Sequence, residues 1–398
     1  MTDDQLITAV ADSLDSLHDL LVEFRRDIHA HPELSREETR TTAAIARVLT
    51  EHGIQARLLP GTGLLADVGP AQASYRVALR ADIDALPVRE RTGLPFASTT
   101  PGVCHACGHD VHTAALLGAI LALKANEEGL RERGTAVRAI FQPAEEIIPG
   151  GAHDAIAHRA MEGVDAVFAV HCDPSLDVGS VGLREGPLTA ACDHIRVLLH
   201  GRGGHTSRPQ LTEDLTYALA KVVTDVPAAL SRRLDPRAGA ALVWGTVQAG
   251  KAANVIPSSG ECSGTLRMLD ANAWLSVGPL LEEIVAGVVA PYGVEAKLER
   301  VKGVPPVVNQ VDAIDALRLA CGAAALSPAP TQQSLGGEDF SWYLAHAPGA
   351  MARLGTRSPG APTYDLHQGD LVVDESSVLA GARLLALAAL VTQVKVTS

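Results

Sequence analysis

The residues best suited to chemistry in this chain are a cysteine–histidine pair and two adjacent acids further along. Cys107 and His109 stand two residues apart, and Glu145 directly precedes Glu146. A thiolate, an imidazole and carboxylates are ligands that transition metals accept. Hydrolysis at such a metal needs one more basic group, which takes a proton from the attacking water. Two adjacent acids can divide these tasks, because one can bind the ion while the other moves the proton.

Short apolar segments precede these residues and indicate how the fold positions them. One segment ends before Asp82, another before the paired glutamates, and a third directly before His171. The segments are 77–79, 137–141 and 166–170. Short β-branched segments of this kind predict buried strands. Since open α/β sheets bind ligands beyond the carboxyl ends of their strands, we expect the three strands to deliver metal-type side chains to one edge.

Other polar residues near these motifs leave alternatives open. Asp84 could hydrogen-bond a ligand imidazole and raise its basicity. Asp82 faces the same way, since it lies two residues earlier on an extended segment. It either does the same or only holds Arg80. His112 lies one helical turn beyond His109, and packing or capping is as plausible for it as binding.

The amino-terminal segment predicts an amphipathic helix over residues 5–28, which Pro32 would end. His29 and His31 lie at its end. Both could be ligands, but residues in this position more often cap or brace a helix, and we favour that structural role.

Composition limits the class of protein. A chain of 398 residues predicts two or three domains. The net charge of −13 and the aromatic content of 3% disfavour nucleic acids and anionic membranes as partners. We find no apolar stretch long enough to span a bilayer and no signal-peptide pattern. The six cysteines are dispersed, which favours a reducing cytoplasm over a disulfide framework.

The elements predict an α/β fold with an insertion. Strand and helix patterns alternate from about residue 40 to 185, which predicts a mostly parallel sheet. Residues 189–300 instead follow the order βαββαβ of a ferredoxin-like α+β unit. We therefore expect a discontinuous catalytic domain, residues 1–188 and 301–398, and an inserted lid or dimerisation domain, residues 189–300.

Loops supply further candidates. His205 directly follows the glycine-rich segment 201–204, and it could act as a transition-state donor. Asn254 follows the next predicted strand. Arg267 is a weaker candidate, because an arginine on a strand is more often a surface residue. His367 offers an imidazole near the return of the chain to the sheet.

Six ordered motifs resemble those of metal-dependent amidohydrolases. The motifs are Arg80–Pro87, His105–Asp110, Phe141–Glu146, Gly203–Ser207, Ala253–Pro257 and Gly336–Phe340. From His29 to the carboxyl terminus the chain is similar to aminoacylases, hippurate hydrolases and plant auxin-conjugate hydrolases. This family lies within the zinc metallopeptidase superfamily that includes carboxypeptidase-G-like enzymes.

The resemblance implies a role for each matching residue. Five match the ligands of two divalent metal ions: Cys107, His109, Glu146, His171 and His367. Glu145 matches the general base, with Asp84 as a further catalytic-site residue. His205 matches a lid histidine expected to reach the site of a partner subunit, and Asn254 and Arg267 are the substrate-binding candidates beside it.

The expected reaction is hydrolysis of an N-acyl amino acid to a carboxylic acid and a free amino acid. Zinc is the expected metal, with manganese, cobalt or nickel as alternatives, and a homodimer or a dimer of dimers is the expected assembly. A dipeptidase or an N-acetyl-diamino-acid deacetylase on the same framework is the first alternative. A non-catalytic metal-binding protein is the second, and a thiol-redox protein using Cys104 is a distant third.

Two departures from the family pattern border the expected site. Gln368 and Gly369 follow His367 where family members commonly have Ser-Pro. The apolar segment 147–149 precedes two glycines, where relatives have more glycine after the paired glutamates. We expect these changes to affect the choice of substrate more than the chemistry, and the apolar segment to favour long or aromatic acyl groups.

Overall fold

A computed structural model describes the backbone of residues 1–396 and the side chains of residues 1–392. The chain forms two compact units. The first comprises Met1–Leu188, Val308–Gln332 and Asp339–Ser398, and the second Thr189–Val307 and Gln333–Glu338.

Ten α-helices occur in the described chain. In order they are α1 (Asp3–Ser16), α2 (His18–Ala30), α3 (Thr39–Glu51), α4 (His109–Ala125), α5 (Glu127–Arg133), α6 (Ala152–Ala157), α7 (Leu215–Arg233), α8 (Ala271–Val289), α9 (Val311–Ala323) and α10 (Ser376–Val396).

Sixteen strands accompany these helices in residues 1–396. They are β1 (Ala56–Leu58), β2 (Leu64–Val68), β3 (Tyr75–Asp82), β4 (Thr135–Gln142), β5 (Ala166–Asp177), β6 (Ser180–Leu183), β7 (Gly186–Pro187), β8 (Ala191–His200), β9 (Gly204–His205), β10 (Ala241–Ala249), β11 (Val255–Ile256), β12 (Ser259–Met268), β13 (Glu295–Val304), β14 (Val308–Asn309), β15 (Ser327–Pro330) and β16 (Gly349–Arg357).

An eight-stranded, mostly parallel sheet forms the centre of the first unit. Its order is β1-β2-β4-β3-β5-β16-β6-β15. The central strands β4, β3, β5 and β16 are parallel to one another, while β1 and β2 are antiparallel additions at one edge. The predicted α/β class with a mostly parallel sheet is confirmed. All eight residues of β4 are buried, as the apolar segment at 137–141 predicts.

One face of this sheet packs against helices in a continuous apolar core. Helix α4 is buried from His109 to Leu123, so it is a core helix and not an amphipathic surface helix. Helix α10 lies beside it and contributes a second row of small and branched apolar side chains. The first turn of α4 therefore starts deep inside the unit, directly after Gly108, whose left-handed backbone (φ 83°) leads into it.

Two sequence predictions in this unit need correction. The single helix expected over residues 5–28 is two helices, α1 and α2, separated at Leu17. The Leu17 N–H donates to the carbonyl of Leu14, a tighter three-residue bond that ends α1. His171 does not follow its strand but lies inside it, because β5 continues to Asp177. Strand β5 pairs with β3 only from Ala166 to Ala169, whereas its pairing with β16 runs from Val167 to Asp177.

The second unit has the predicted order βαββαβ. Strands β10, β12, β8 and β13 form an antiparallel sheet in that order, with α7 and α8 as the two helices. Helix α7 begins at Asp214, whose side chain accepts from the N–H of Tyr217, and α8 begins in the same way at Asp270. A two-stranded ribbon, β9 with β11, joins the loops that carry His205 and Asn254.

The segment Ala271–Tyr292 is long and apolar enough in composition to cross a bilayer, which corrects the expectation that no such stretch exists. In the structure its helix, α8, packs against α7 and strand β13 with one side, through Trp274, Val277 and Leu281 among others. The opposite side carries Glu283, which pairs with Arg233 of α7. This amphipathic arrangement is that of a helix covering a sheet.

Candidate metal centre

The first unit gathers the expected ligand residues around its central strands. Cys107 lies just before α4, His109 is the first residue of that helix, and Glu146 follows β4. His171 comes from β5, and His367 from the segment between β16 and α10. Five residues from four segments of the chain thus meet in one place, where parallel sheets present their ligands.

His109 is oriented by the hydrogen bond of its other nitrogen. Its Nδ1–H donates to the backbone carbonyl of Asp84 at 2.9 Å. The Nε2 atom is buried and has no hydrogen-bond partner among the described residues. A histidine held by Nδ1 with its Nε2 lone pair unused has the arrangement of a metal ligand. Gly108 is required here, because a Cβ would lie 2.7 Å from Sγ of Cys172.

His171 is held in the same way and meets Cys107. The Nδ1–H of His171 donates to the carbonyl of Cys172 at 2.9 Å. Its Nε2 atom lies 3.5 Å from Sγ of Cys107. Both side chains are buried, so the pair offers a nitrogen and a sulfur to one position in a dry environment.

Glu146 and His367 form the outer part of the cluster. Oε1 of Glu146 lies 3.2 Å from Nε2 of His367 and 3.8 Å from Nε2 of His109. The same oxygen is buried, and its 3.2 Å contact with His367 is an ion pair. The backbones of Ala144 (φ 55°) and His367 (φ 63°) adopt the left-handed conformation that residues with a side chain rarely accept. Strain of this kind concentrates at functional sites.

These residues fit two metal ions. Ligand atoms within 4.8 Å of one another form two sets that share Cys107, one completed by His109 and His171 and the other by Glu146 and His367. Sulfur, imidazole and carboxylate together suit zinc and its neighbours in the first transition row. Nε2 of His109 is buried without a hydrogen-bond partner among the described side chains, and a metal ion would satisfy it.

Electrostatics agree with a site built for positive charge. Hydrogen bonds to Cys107 and Glu146 raise the pKa of His367 to about 10. Burial would lower the pKa of His109, but Asp82, Cys107 and other negative neighbours hold it well above its usual range. The negative groups that raise these two pKa values surround the same nitrogens that a bound cation would contact.

Glu145 lies beside the cluster. One of its carboxylate oxygens is within 4.8 Å of a ligand atom of His109 and of Glu146. The side chain is half-buried. This position puts Glu145 within reach of a substrate or water at the site, as a general base requires.

The structure gives Asp84, Asp82 and His112 different roles. Asp84 is buried, and its Oδ2 accepts from the Ser35 hydroxyl (2.7 Å) and from the backbone N–H of Glu146 (3.0 Å). Its Oδ1 has no partner and lies 3.4 Å from Nδ1 of His109. Asp84 thus ties the ligand histidine to the ligand glutamate.

His112 groups with Asp82 and His109 as ligand-type atoms, but both of its ring nitrogens are engaged in hydrogen bonds. Its Nδ1–H donates to Asp82 at 2.6 Å, and its Nε2 accepts the backbone N–H of Cys172 at 2.8 Å. Asp82 also accepts from Arg80 at 2.7 Å, so this aspartate holds Arg80 and His112 and makes no hydrogen bond to a proposed ligand imidazole among the described side chains. Through His112, it holds the backbone beside His171.

A buried polar network continues from Arg80 to the loop that carries the glutamates. Arg80 donates to Gln142 at 2.9 Å and to Asp339 at 2.7 Å. Asp339 also accepts the backbone N–H of Ala152 at 3.1 Å. The motif around Asp339 therefore anchors the far end of the loop after Glu146.

His29 and His31 brace α2, as expected. His29 contacts Asp110 at 2.8 Å and Glu90 at 3.2 Å, and Nδ1 of His31 lies 2.8 Å from the carbonyl of Asp27. Neither belongs to a set of metal-type ligand atoms within the described residues.

The remaining candidates lie in the second unit. His205 pairs with Val255 across the β9–β11 ribbon, and the N–H of Thr206 donates to the carbonyl of Asn254 at 3.2 Å, so His205 and Asn254 are neighbours. Nδ1 of His205 accepts the backbone N–H of Ser207 at 3.1 Å. Arg267 lies on β12, and its guanidinium donates to the carbonyl of Leu335.

Sequence reasoning missed two residues near the site. Ser35 positions Asp84, but nothing in the sequence singles out this serine. Arg353 lies on β16 beside His171. The sequence could have indicated this residue, because it is the one charged residue in the apolar segment 349–354.

Comparisons with known proteins agree with this geometry. Residues 78–391 match the peptidase family M20/M25/M40. A putative glutamate–cysteine ligase 2-3 of Rhodococcus jostii is 49% identical over 92% of this chain, which spans only 46% of that relative. An N-acetyl-L-cysteine deacetylase of Bacillus subtilis is 37% identical, with 94% of this chain and 88% of the relative covered.

A solved structure supports the same assignment. The YXEP protein of Bacillus subtilis, described as a dinuclear metal-binding peptidase of family M20, has a TM-score of 0.83 and 34% identity. The match covers 94% of this chain and 98% of that one. The extent of the sequence and structural matches shows that this chain belongs to the peptidase family M20/M25/M40.

Proposed function

We propose that this protein hydrolyses the amide bond of N-acyl amino acids and releases a carboxylic acid and a free amino acid. The observation that carries the proposal is the pair of ligand sets sharing Cys107, with Glu145 beside them. The deacetylase name of the Bacillus subtilis relative supports the substrate class, and the dinuclear description of the YXEP protein supports the metal content.

Five residues would hold two divalent ions: Cys107, His109, Glu146, His171 and His367. Bound ions of this kind polarise a carbonyl group and lower the pKa of water. Zinc is our proposal for the metal, with manganese, cobalt and nickel as alternatives, since the ligand types accept all four.

Glu145 would move the proton. Its carboxylate accepts a proton from the attacking water and later donates it to the nitrogen of the leaving amine. Glu146 is held at its backbone by Asp84, while its Oε1 atom lies among the ligand atoms, so the two glutamates have different tasks. Asp84 orients His109 and Glu146 together and does not need to touch the substrate.

The second unit would contribute substrate contacts. Because Nδ1 of His205 accepts from Ser207, the proton of the neutral ring is on Nε2, and this exposed N–H can donate to a developing oxyanion. Asn254, its neighbour, and Arg267 are our candidates for the α-carboxylate of the substrate. Following the family resemblance, we propose a homodimer or a dimer of dimers, with His205 acting in the site of the partner subunit. The dispersed cysteines support our proposal of a cytoplasmic location.

Two questions of specificity follow. Ile147 and Ile148 are exposed on the first unit, at 41% and 39% of their surface, and could receive a long or aromatic acyl group. The dipeptidase and diamino-acid deacetylase alternatives differ from our proposal only in the substrate, so a substrate panel separates all three.

The experiment is a panel of N-acetyl, N-octanoyl and N-benzoyl amino acids, dipeptides and N-acetyl-diamino acids, tested with metal-loaded protein. We expect kcat/KM to be highest for long or aromatic acyl groups. Removal of metal with a chelator should abolish turnover, and added zinc, manganese, cobalt or nickel should restore it. Full activity of rigorously metal-free protein would overturn the proposal, and a preference for acetyl groups would remove the apolar acyl contact.

A further inference from the structure

Arg353 places a positive charge on the same face of the sheet as a ligand histidine. It pairs with His171 in the parallel register of β16 and β5, so the two side chains project to the same side. The adjacent residues Ala352 and Leu354 belong to the apolar core on the opposite face. The side chain of Arg353 is only 9% exposed.

No hydrogen bond or ion pair satisfies this guanidinium within residues 1–392, where side chains are described. Arg80, a buried arginine on the same face of the sheet, shows how the fold treats a structural arginine. Arg80 donates to Asp82, Gln142 and Asp339. None of the Arg353 nitrogens is among the fully buried unpartnered atoms of the described side chains, so the guanidinium keeps a narrow contact with solvent through which a ligand can supply a counter-charge.

The charge of Arg353 reaches the cluster. The parallel register of β16 and β5 places Arg353 beside His171, one of the proposed ligands. The same charge is available to a substrate bound beside His171.

We propose that Arg353 is the receptor for a carboxylate of the substrate and thereby determines specificity. The proposal rests on the proposed amide hydrolysis. A guanidinium presents two parallel N–H donors that match a carboxylate, and this pairing is stronger than that of a neutral donor. The carboxylate could be the α-carboxylate of the amino acid or a second carboxylate at the end of a diacid acyl group.

Four amides distinguish these sources. N-pentanoyl-leucine carries only the α-carboxylate, N-glutaryl-leucinamide only the acyl carboxylate, N-glutaryl-leucine both, and N-pentanoyl-leucinamide neither. The substitution Arg353→Met keeps the length of the side chain and removes the charge. We expect it to lower kcat/KM by roughly 10- to 100-fold for the compounds that carry the recognised carboxylate, mainly through KM, and to leave the others unchanged.

Two further variants control the comparison. Arg353→Lys retains the charge but loses the paired donors, so an intermediate effect on the same compounds is expected. Arg357→Met removes an arginine from the same strand whose charge is already paired with Asp177 at 2.7 Å. That variant should not change the ranking of the four compounds. The melting temperature of Arg353→Met should equal or exceed that of the wild type, since no protein contact is lost.

Each outcome has a clear meaning. An effect confined to one carboxylate supports the proposal and names the source. An equal loss on all four compounds, or no loss on any, overturns it. If the wild type cleaves none of them, the proposed function fails separately. Calorimetric binding of the same compounds to metal-loaded Glu145→Gln protein, with and without Arg353→Met, then decides the proposal for Arg353, and equal affinities in that pair overturn it.

Discussion

Two of the ligand-type histidines are each held by a hydrogen bond from the ring nitrogen that does not face the cluster. His109 donates to the carbonyl of Asp84 and His171 to that of Cys172. His112 uses both nitrogens and is thereby removed from the set of ligands. Chemical type alone could not separate these three residues, because the distinction depends on backbone carbonyls that only the fold brings near.

At the scale of single residues, the paired glutamates make the sharpest prediction. Glu145→Gln keeps the size of the side chain but removes the base. We expect metal content near that of the wild type and turnover lower by roughly two or more orders of magnitude. Glu146→Gln should instead lower metal occupancy, because Oε1 of Glu146 is a member of the ligand sets. Metal analysis with kcat per bound metal measures both effects.

The contrary result is equally clear. Equal metal loss in the two variants, with an undiminished rate per bound metal for Glu145→Gln, would show that Glu145 is a ligand and not the base. Cys107→Ser serves as the matched reference for loss of a ligand, since a hydroxyl is a poor substitute for a thiolate and should weaken metal binding.

At the scale of elements, the loop from Ala144 to Gly151 decides where both glutamates lie. The N–H of Gly151 donates to the carbonyl of Ala144 at 2.9 Å and closes the loop. A Cβ on Gly151 would lie 1.8 Å from the carbonyl oxygen of Pro143, so no side chain fits. The two glycines after the apolar segment 147–149 are thus needed for the path of the chain, even though that segment departs from the family pattern.

We therefore expect Gly151→Ala to open this loop. Metal affinity should fall at the position that Glu146 completes, and kcat should fall with it, while the far-UV spectrum remains that of the wild type. Gly322→Ala is the matched control, because Gly322 lies in α9 with nothing near its Cβ position. At this helical position, alanine is more favourable than glycine by up to about 1 kcal/mol. Unchanged metal titration curves for Gly151→Ala would contradict this account of the loop.

The link between α2 and α4 predicts a dependence of stability on pH. Burial would lower the pKa of His29, but the carboxylates of Asp110 and Glu90 raise it to about 9. Its unfolded value is about 6.5. A group whose pKa is higher in the folded state stabilises the fold fully below the unfolded pKa, and this contribution disappears as the pH rises through the folded one. The window is therefore pH 6.5 to 9.

In that window, we expect the wild type to lose stability on the order of 3 kcal/mol as His29 loses its proton. His29→Gln should be less stable below pH 6.5 and should lack this loss between pH 6.5 and 9. Urea midpoints of the metal-loaded protein at several pH values provide the measurement. His18→Gln, which changes an exposed histidine on the same helix, is the control and should follow the wild type. Parallel curves for His29→Gln and the wild type would refute the assignment.

The elements also show what a sequence can and cannot predict. Strands β3, β4 and β5 are evident because their apolar segments are buried. Strand β15 contains two prolines, and the sequence therefore does not predict it as a strand. Proline is tolerated here because β15 lies at the edge of the sheet. The extension of β5 beyond Ala169, which carries His171, depends on pairing with β16 from a distant part of the chain. Local patterns do not contain that information.

At the scale of the whole molecule, the predictions concern assembly. Five ligand-type residues and Glu145 lie in the first unit, whereas His205 and Asn254 lie in the second. If His205 serves the site of a partner subunit, a mixture of two inactive variants must recover activity. We expect Glu145→Gln and His205→Ala proteins to regain part of the wild-type rate after subunit exchange, because one site in a mixed dimer then has both groups.

The controls for this experiment are each variant exchanged with itself, and mass measurement of the mixed species. Proven exchange without any recovered turnover would place His205 in the site of its own subunit or outside catalysis. A monomer at all protein concentrations tested would remove the homodimer proposal as well.

The spacing of the ligands along the chain has a consequence for biosynthesis. Cys107 and His109 leave the ribosome long before His367, which follows them by more than 250 residues. Strand β16, which flanks His171, is also translated late. A nascent chain can therefore bind metal only weakly and with an incomplete set of ligands. We expect tight loading to follow synthesis of the segment around His367, so that metal capture, completion of the sheet and acquisition of activity occur as one late event.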